Sequence, residues 1–330
     1  MRAIRIREPG EPEVLEPARI ELPPLLPHEV RVRVRASGLN RADLLERRGG
    51  HVPQPGTPPG IPGLEYAGVV DAVGAACTLR DVGDPVMGIV GGGGYAEALH
   101  VSERETIRVP EGMDLVEAAA IPEAFLTAWD ATFRQAGLAP GETLLIHAVG
   151  SGVGTAALQL ARWAGARVIG TSRTADKLEE ARELGLGCAV LTGDESTDWA
   201  AEVRAGSPDG RGVDVVLDLV GGGYASRTLE TLAQGARWIV VGIPSGREAR
   251  LDLRGLMMRR ASIRGTMLRS RPSEEKAELA RSFEDTVLNG FEEGALRPVI
   301  DRVFPSEETV EAHRYMESNR NFGKILLAWS

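Results

Sequence analysis

Apolar positions recur with two different periods along the chain, and the change falls near residue 114. Before it, Ala3-Ile4-Arg5-Ile6-Arg7 and Val30-Arg31-Val32-Arg33-Val34-Arg35 alternate apolar and polar residues. That period of two predicts half-buried antiparallel strands. A loop rich in proline and glycine runs from Gly49 to Gly63, and Gly91 to Gly94 marks a second turn. Residues 1–122 therefore read as a compact, mostly β domain. Asp114, with Glu117 three positions on, has the form of a capping box before an alanine-rich helix ending by Pro122. A second helix is expected over about Ala124–Gln135, and a turn at Pro140-Gly141.

From there short apolar runs alternate with amphipathic ones. Strands are expected at Thr143–Ala148, Arg167–Thr171, Val213–Val220 and Trp238–Gly242. Helices are expected at Thr155–Ala164, Asp176–Leu184 and Ser226–Leu232. This β-α-β rhythm predicts an α/β domain over 123–265, a doubly wound parallel sheet with helices on both faces. The tail returns to mixed elements, a strand at Ala261–Leu268, an amphipathic helix at Ser273–Asn289 and a last strand at Lys324–Trp329, with 266–330 as a third segment.

The turn after the first of these strands carries the candidate chemistry. Gly150-Ser151-Gly152-Val153-Gly154 stands between a strand and a helix. Small residues there let the backbone approach a pyrophosphate, and the free N–H groups of a helix N-terminus meet its charge. Thr155 occupies the last position of the strict G-x-G-x-x-G pattern, so an ordinary tight βα turn is the alternative; the surrounding alternation favours a dinucleotide, and hence a Rossmann-type domain. The next strand ends Gly170-Thr171-Ser172-Arg173 with no acid at its tip. NAD sites usually place a carboxylate there for the ribose hydroxyl. Arg173 and Lys177 offer cations for a 2′-phosphate instead, which points to NADPH; the alternative is two solvated charges at a helix start.

Composition narrows the function further. The 330 residues carry a formal net charge of −9, which disfavours nucleic acid and anionic membranes as main partners. Only Lys177, Lys276 and Lys324 among the 38 basic residues are lysines. Two cysteines, Cys77 and Cys188, are too few and too far apart for a disulfide framework or a thiolate zinc site, and are expected to be buried and inert. No apolar run approaches the ~20 residues of a spanning helix, and the N-terminus lacks a signal core, so a cytoplasmic location is expected.

Several segments together resemble the medium-chain dehydrogenase/reductase superfamily, in its zinc-free quinone oxidoreductase branch. They are ASGLNRADLLERRGG (36–50), GLEYAGVV (63–70), VGDPVMGIVGGGGYAE (82–97), AAAIPEAFLTAWD (118–130), LIHAVGSGVGTAALQLAR (145–162), GGGYASRTLETLAQGARW (221–238), MLRSR (267–271) and EAHRYMESNRNFGKILL (311–327). LNRADL, IPEAFLTA, SGVGTAA and LRSR are most similar to the tumour-suppressor-inducible quinone oxidoreductase subgroup. The resemblance implies a GroES-like β domain over 1–122, a nucleotide-binding domain over 123–265, and a C-terminal return to the first domain over 266–330. It also implies a homodimer, paired through the strand edge around Ala261–Thr266.

Zinc-dependent relatives have Cys where this chain has Asn40 and His where it has Leu64, just before Glu65, so the resemblance implies no metal. It places Thr127 near the nicotinamide and Ser151, Gly152, Val153 and Gly154 at the pyrophosphate. Ser172 and Lys177 match the 2′-phosphate positions, and Val220, Gly221, Gly242, Ile243, Thr266, Met267 and Asn321 line the rest of the cofactor. Two positions depart from the pattern. Thr192 stands where a tyrosine often lies beside the adenosine phosphate, and His51 stands where the close subgroup has tyrosine.

On the substrate side Asn40, Asp43 and His51 are the polar candidates: Asn40 as donor to a carbonyl oxygen, Asp43 to orient a neighbour, His51 to stack on a flat substrate or supply a proton. Equally, Asn40 and Asp43 can hold the turn, and His51 can be a solvated loop residue. The expected activity is hydride transfer from NADPH to a quinone. Reduction of an enone or enoyl thioester is the alternative within enzymes, and an NADPH-binding sensor or structural protein the alternative outside them.

Overall fold

The computed structural model describes residues 1–50, 54, 56–193 and 197–330. The chain forms two compact units, one from Met1–Leu126 with Leu268–Ser330, the other from Thr127–Met267.

The first unit is built on a seven-stranded sheet. Its longest strand, Glu29–Gly38, buries Val30, Val32 and Val34 and turns Arg31, Arg33 and Arg35 outward, as the alternation requires. Glu65–Val73 lies antiparallel on one side of it and Lys324–Ala328 on the other. Two registers place the site. Ser37 faces Tyr66, which sets Glu65 beside Gly38. Leu326 faces Gly38, and continuing that register by two residues sets Lys324 opposite Asn40.

The second unit is a six-stranded, all-parallel sheet. Its order across the sheet is Cys188–Leu191, Arg167–Ser172, Thr143–Ile146, Val213–Asp218, Leu232–Val240 and Ser262–Gly265. Thr143–Ile146 comes first in the chain and sits in the middle. The chain winds outward to one side, then crosses back to the other, which is the doubly wound arrangement. Val213–Asp218 is buried along its whole length, as expected of a strand covered on both faces.

Several boundaries differ from those expected, each for a local reason. The helix after the first strand is Gly152–Trp163 rather than beginning at Thr155, because Ser151 caps it. The second helix is Pro122–Trp129, followed by a π-helical segment, Asp130–Gln135. The strand expected over Ala261–Leu268 is only Ser262–Gly265, its start delayed by Arg260 in the left-handed region. Ser273–Asn289 divides into helices Ser273–Thr286 and Leu288–Glu292. The elements Cys188–Leu191, Trp199–Gly206, Leu253–Arg259 and Ile300–Pro305 had no distinct apolar period. Cys77 and Cys188 are unpaired and half-buried rather than buried. Among the described residues no helix is long and apolar enough to cross a membrane.

Candidate active site

In the first unit, three elements bring Asn40, Glu65 and Lys324 together. Asn40 ends the long strand's run and precedes the helix Arg41–Arg47. The Lys324 ammonium donates to Glu65 Oε1 at 2.5 Å, to Asn40 Oδ1 at 2.8 Å and to the Leu39 carbonyl at 2.8 Å. Asn40 Nδ2 donates to the same Glu65 Oε1 at 2.9 Å. The other Glu65 oxygen accepts the Glu123 N–H at 2.8 Å, at the start of Pro122–Trp129. Glu65 is fully buried and Lys324 is 5% exposed, so each neutralises a charge that would otherwise stand in apolar surroundings. Gly38 makes this possible: a Cβ there would lie 2.1 Å from Glu65 Oε1. An ammonium has only donors, so it must meet the oxygen of Asn40, which turns the amide nitrogen away from it.

A second buried network starts at Asp43. Its Oδ2 accepts the Asn40 N–H at 2.8 Å and the Tyr95 hydroxyl at 3.0 Å. Tyr95 Oη lies 3.3 Å from His313 Nε2, and His313 Nδ1 lies 3.3 Å from the Arg47 guanidinium. A guanidinium can only donate, so His313 accepts at Nδ1 and carries its proton on Nε2, toward Tyr95. Arg47 is fully buried and also holds Glu317 at 2.5 Å. Burial pushes the Asp43 carboxyl up to about 7, against the opposing pull of its two hydrogen bonds. Burial, with the Arg47 charge, pushes His313 down to about 3.

These shifts set opposite pH dependences of stability. His313 is neutral when folded, whereas the unfolded chain binds that proton below pH 6.5. Stability therefore falls as pH drops from 6.5 toward 3, by up to about 1.4 kcal/mol per pH unit. Asp43 holds its proton longer in the folded chain, so its contribution is present at low pH and lost as pH rises from 3.8 to about 7. Urea titrations at a series of pH values should show His313→Gln flattening the acid limb and Asp43→Asn flattening the decline toward neutrality. Slopes unchanged by either substitution would contradict these assignments.

In the second unit the predicted cofactor residues stand at the carboxyl ends of five parallel strands. Ser151, Gly152, Val153 and Gly154 follow Thr143–Ile146, while Ser172, Arg173 and Lys177 follow or end Arg167–Ser172. Val220 and Gly221 follow Val213–Asp218, Gly242 and Ile243 follow Leu232–Val240, and Thr266 and Met267 follow Ser262–Gly265. In doubly wound sheets ligands bind along this edge, where the strand order reverses. Ser151 Oγ accepts the Gly154 N–H at 3.1 Å and caps the helix. The N–H groups of Gly152 and Val153, at the half-exposed first turn, have no intrahelical acceptor. A Cβ on Gly154 would lie 2.6 Å from the carbonyls of Ala148 and Val149, so only glycine allows this tight turn.

Two further predicted cofactor residues, Thr127 in the second unit and Asn321 in the first, each bury a polar atom that has no partner among the described residues: Thr127 Oγ1 and Asn321 Oδ1. A buried polar atom left unpaired is costly, and a bound ligand is one way to satisfy it. The residues present thus fit a nicotinamide dinucleotide. His51 lies outside the described residues. Thr192 accepts from Tyr224 Oη at 2.7 Å, so a tyrosine from another element does stand beside that position.

Sequence reasoning missed most of what holds Asn40: Glu65, Lys324, Tyr95, His313, Arg47 and the start of the helix at Glu123. It also missed Asp218, a fully buried carboxylate that accepts the Val220 and Gly221 N–H groups and shapes that turn.

A GroES-like sheet unit and a doubly wound parallel-sheet unit in one chain are the two parts of an oxidoreductase of the alcohol-dehydrogenase type. The family described as "Alcohol dehydrogenase GroES-like domain" matches residues 26–111, and "Zinc-binding dehydrogenase" matches residues 152–291. The chain belongs to the medium-chain dehydrogenase/reductase superfamily, in its quinone oxidoreductase branch. It is 32% identical to the quinone oxidoreductase of Rattus norvegicus, over 99% of this chain and 97% of that one. A solved structure described as an NAD-dependent alcohol dehydrogenase is 36% identical, with a TM-score of 0.88 and full coverage of both chains. The CurK enoyl reductase is 28% identical, with a TM-score of 0.86 over 99% of this chain and 98% of that one.

Proposed function

We propose that the chain reduces quinones, or similar conjugated carbonyl compounds, with NADPH and without a metal ion. The observation that carries this reading is the Lys324–Glu65–Asn40 cluster. Lys324 pins the oxygen of the Asn40 amide, and Glu65 takes one of its two N–H groups. Among the described residues the second makes only a long 3.4 Å contact to the Gly38 carbonyl, which leaves it able to donate to an acceptor oxygen. A bound reduced nicotinamide supplies the hydride. Gly152 and Val153 would hold its pyrophosphate by their N–H groups, and Ser172, Arg173 and Lys177 its 2′-phosphate. Leu64 offers no metal donor, and Asn40 Oδ1 is already taken by an ammonium that repels a cation. Among the described residues no His, Cys, Asp and Glu are grouped to hold a metal ion.

Enoyl reduction is the second reading, supported by the likeness to the CurK enzyme. A cytoplasmic homodimer is part of the proposal. Ser262–Gly265 is an exposed sheet edge, and Leu253, Met257 and Met258 beside it in the chain are each at least 65% exposed.

Initial rates of NADPH and NADH oxidation with a panel of quinones and enones test this reading. Turnover is expected with NADPH preferred and with no effect of a chelator. Lys177→Ala should raise the KM for NADPH by about tenfold or more while sparing NADH, since one charge-assisted contact is worth about 1.5–3 kcal/mol. Equal effects on both cofactors, or a native preference for NADH, would overturn the NADPH assignment. Complete absence of turnover would favour a nucleotide-binding sensor.

A further inference from the structure

Within the second unit, Thr127 lies in the helix Pro122–Trp129, which runs on into the π-helical segment Asp130–Gln135. The Ala136 N–H reaches back five residues to the Ala131 carbonyl at 3.1 Å. Such turns are rare, appear mostly as single insertions in α-helices and are frequent at functional sites. Arg237, on the strand Leu232–Val240, holds the far end of the segment. Its Nε donates to the Ala136 carbonyl at 2.7 Å and its Nη2 to that of Gly137 at 3.2 Å.

The widened turn changes which side chains meet. In an α-helix, residues three and four apart are neighbours, and residues five apart are not. Here Gln135 Nε2 donates to Asp130 Oδ2 at 2.5 Å and to Thr266 Oγ1 at 2.7 Å. Asp130 is buried. A carboxylate only accepts, so it draws the nitrogen of the Gln135 amide toward itself, and the second N–H of that nitrogen meets Thr266. Thr266 follows the edge strand Ser262–Gly265, whose residues are all exposed. Its own N–H donates to the Val240 carbonyl at 3.0 Å, so the strand's end is fastened both to its neighbour and to the helix.

This clamp joins two elements that each carry a predicted cofactor hydroxyl. Thr127 stands three residues before Asp130, and its buried Oγ1 has no partner among the described residues. Thr266 stands at the carboxyl end of the last strand. A doubly wound sheet binds one mononucleotide over each of its halves. Ser172, Arg173 and Lys177 assign the adenosine to the half that ends at Cys188–Leu191. The half that ends at Ser262–Gly265 is then left for the nicotinamide.

We propose that Gln135 is a positioning residue for the nicotinamide half of the cofactor, acting through Thr266. It sets the spacing between the helix that carries Thr127 and the strand end that carries Thr266. This rests on the nicotinamide-cofactor reading given above. The adenosine half lies over other strands and does not depend on the clamp.

The test uses the full-length protein and three variants. Gln135→Met keeps the length of the side chain without its N–H groups. Thr266→Val removes the acceptor and leaves the Gln135–Asp130 bond, and the third variant carries both changes. Calorimetry gives dissociation constants for NADPH and for 2′,5′-ADP, which carries the adenosine half alone. NADPH binding should weaken by about three- to tenfold in each variant, the worth of about one neutral hydrogen bond. Binding of 2′,5′-ADP should stay that of the parent. The double variant should be no weaker than Gln135→Met, because that residue acts through Thr266. If Gln135→Met does not fold, Thr266→Val alone decides. The same comparison run with NADH and 5′-AMP frees the result from the 2′-phosphate. Folded variants that bind the dinucleotide as the parent does, or that weaken both ligands alike, would overturn the proposal and leave the cofactor reading standing. A parent that binds neither NADPH nor NADH would sink that reading and this proposal with it.

Discussion

Lys324→Met should lower the free energy of unfolding by about 3–5 kcal/mol, because it leaves the buried Glu65 carboxylate without its counter-ion. Glu65 is fully buried and has no other cation within ion-pairing distance among the described residues. Turnover should fall as well, since nothing then fixes the Asn40 amide. Lys324→Arg should not rescue it. The ammonium donates to Leu39, Asn40 and Glu65 from one point, a geometry that a planar guanidinium cannot copy in the same space. The double variant Lys324→Met with Glu65→Gln removes the stranded charge. It should recover much of the stability while remaining slow, which separates folding from chemistry. Chemical denaturation of the three variants checks the first point and steady-state rates the second. A Lys324→Met protein as stable and as active as the parent would contradict both.

The other large effect is expected at the cofactor turn. Ser151→Val removes a hydroxyl that caps the helix Gly152–Trp163 and puts a branched side chain at the proposed pyrophosphate site. Loss of the cap should cost about 0.5–2 kcal/mol, so the chain stays folded and its circular dichroism stays native, with a lower melting temperature. NADPH binding should weaken by about 10- to 100-fold or more, through the lost charge-assisted contact and the added bulk. A folded variant that binds NADPH as tightly as the parent in a titration would remove Ser151 from the site and leave it as a cap alone.

Much of the architecture was legible because the apolar periods are strong. The alternation from Val30 to Arg35 and the run Val213–Val220 announced their strands, and the order of the latter half announced the parallel sheet. The turns at the carboxyl edge of that sheet were legible too, because they directly follow strands in the sequence. The cluster around Asn40 was not. Sheet register brings Asn40, Glu65 and Lys324 together, and the helix Pro122–Trp129 adds the Glu123 N–H. No local pattern records that Lys324 faces Asn40. One signal was available: in a chain whose basic residues are nearly all arginine, a retained lysine marks a place that needs a point charge. Lys324 is buried and Lys276 half-buried, in ion pairs with Glu65 and Glu105. The charge states of Asp43 and His313 were equally hidden, because they follow from burial and from neighbours distant in the chain.

The proposed hydride transfer from NADPH to a conjugated carbonyl by metal-free chemistry is tested most directly by single-turnover reduction of a quinone with NADPH deuterated at either of its two transferable positions, in buffer containing a chelator. One reduced acceptor per NADPH consumed is expected, with one of the two labelled forms reacting more slowly than unlabelled NADPH. No NADPH consumption, or consumption that appears only when zinc is restored, would contradict it.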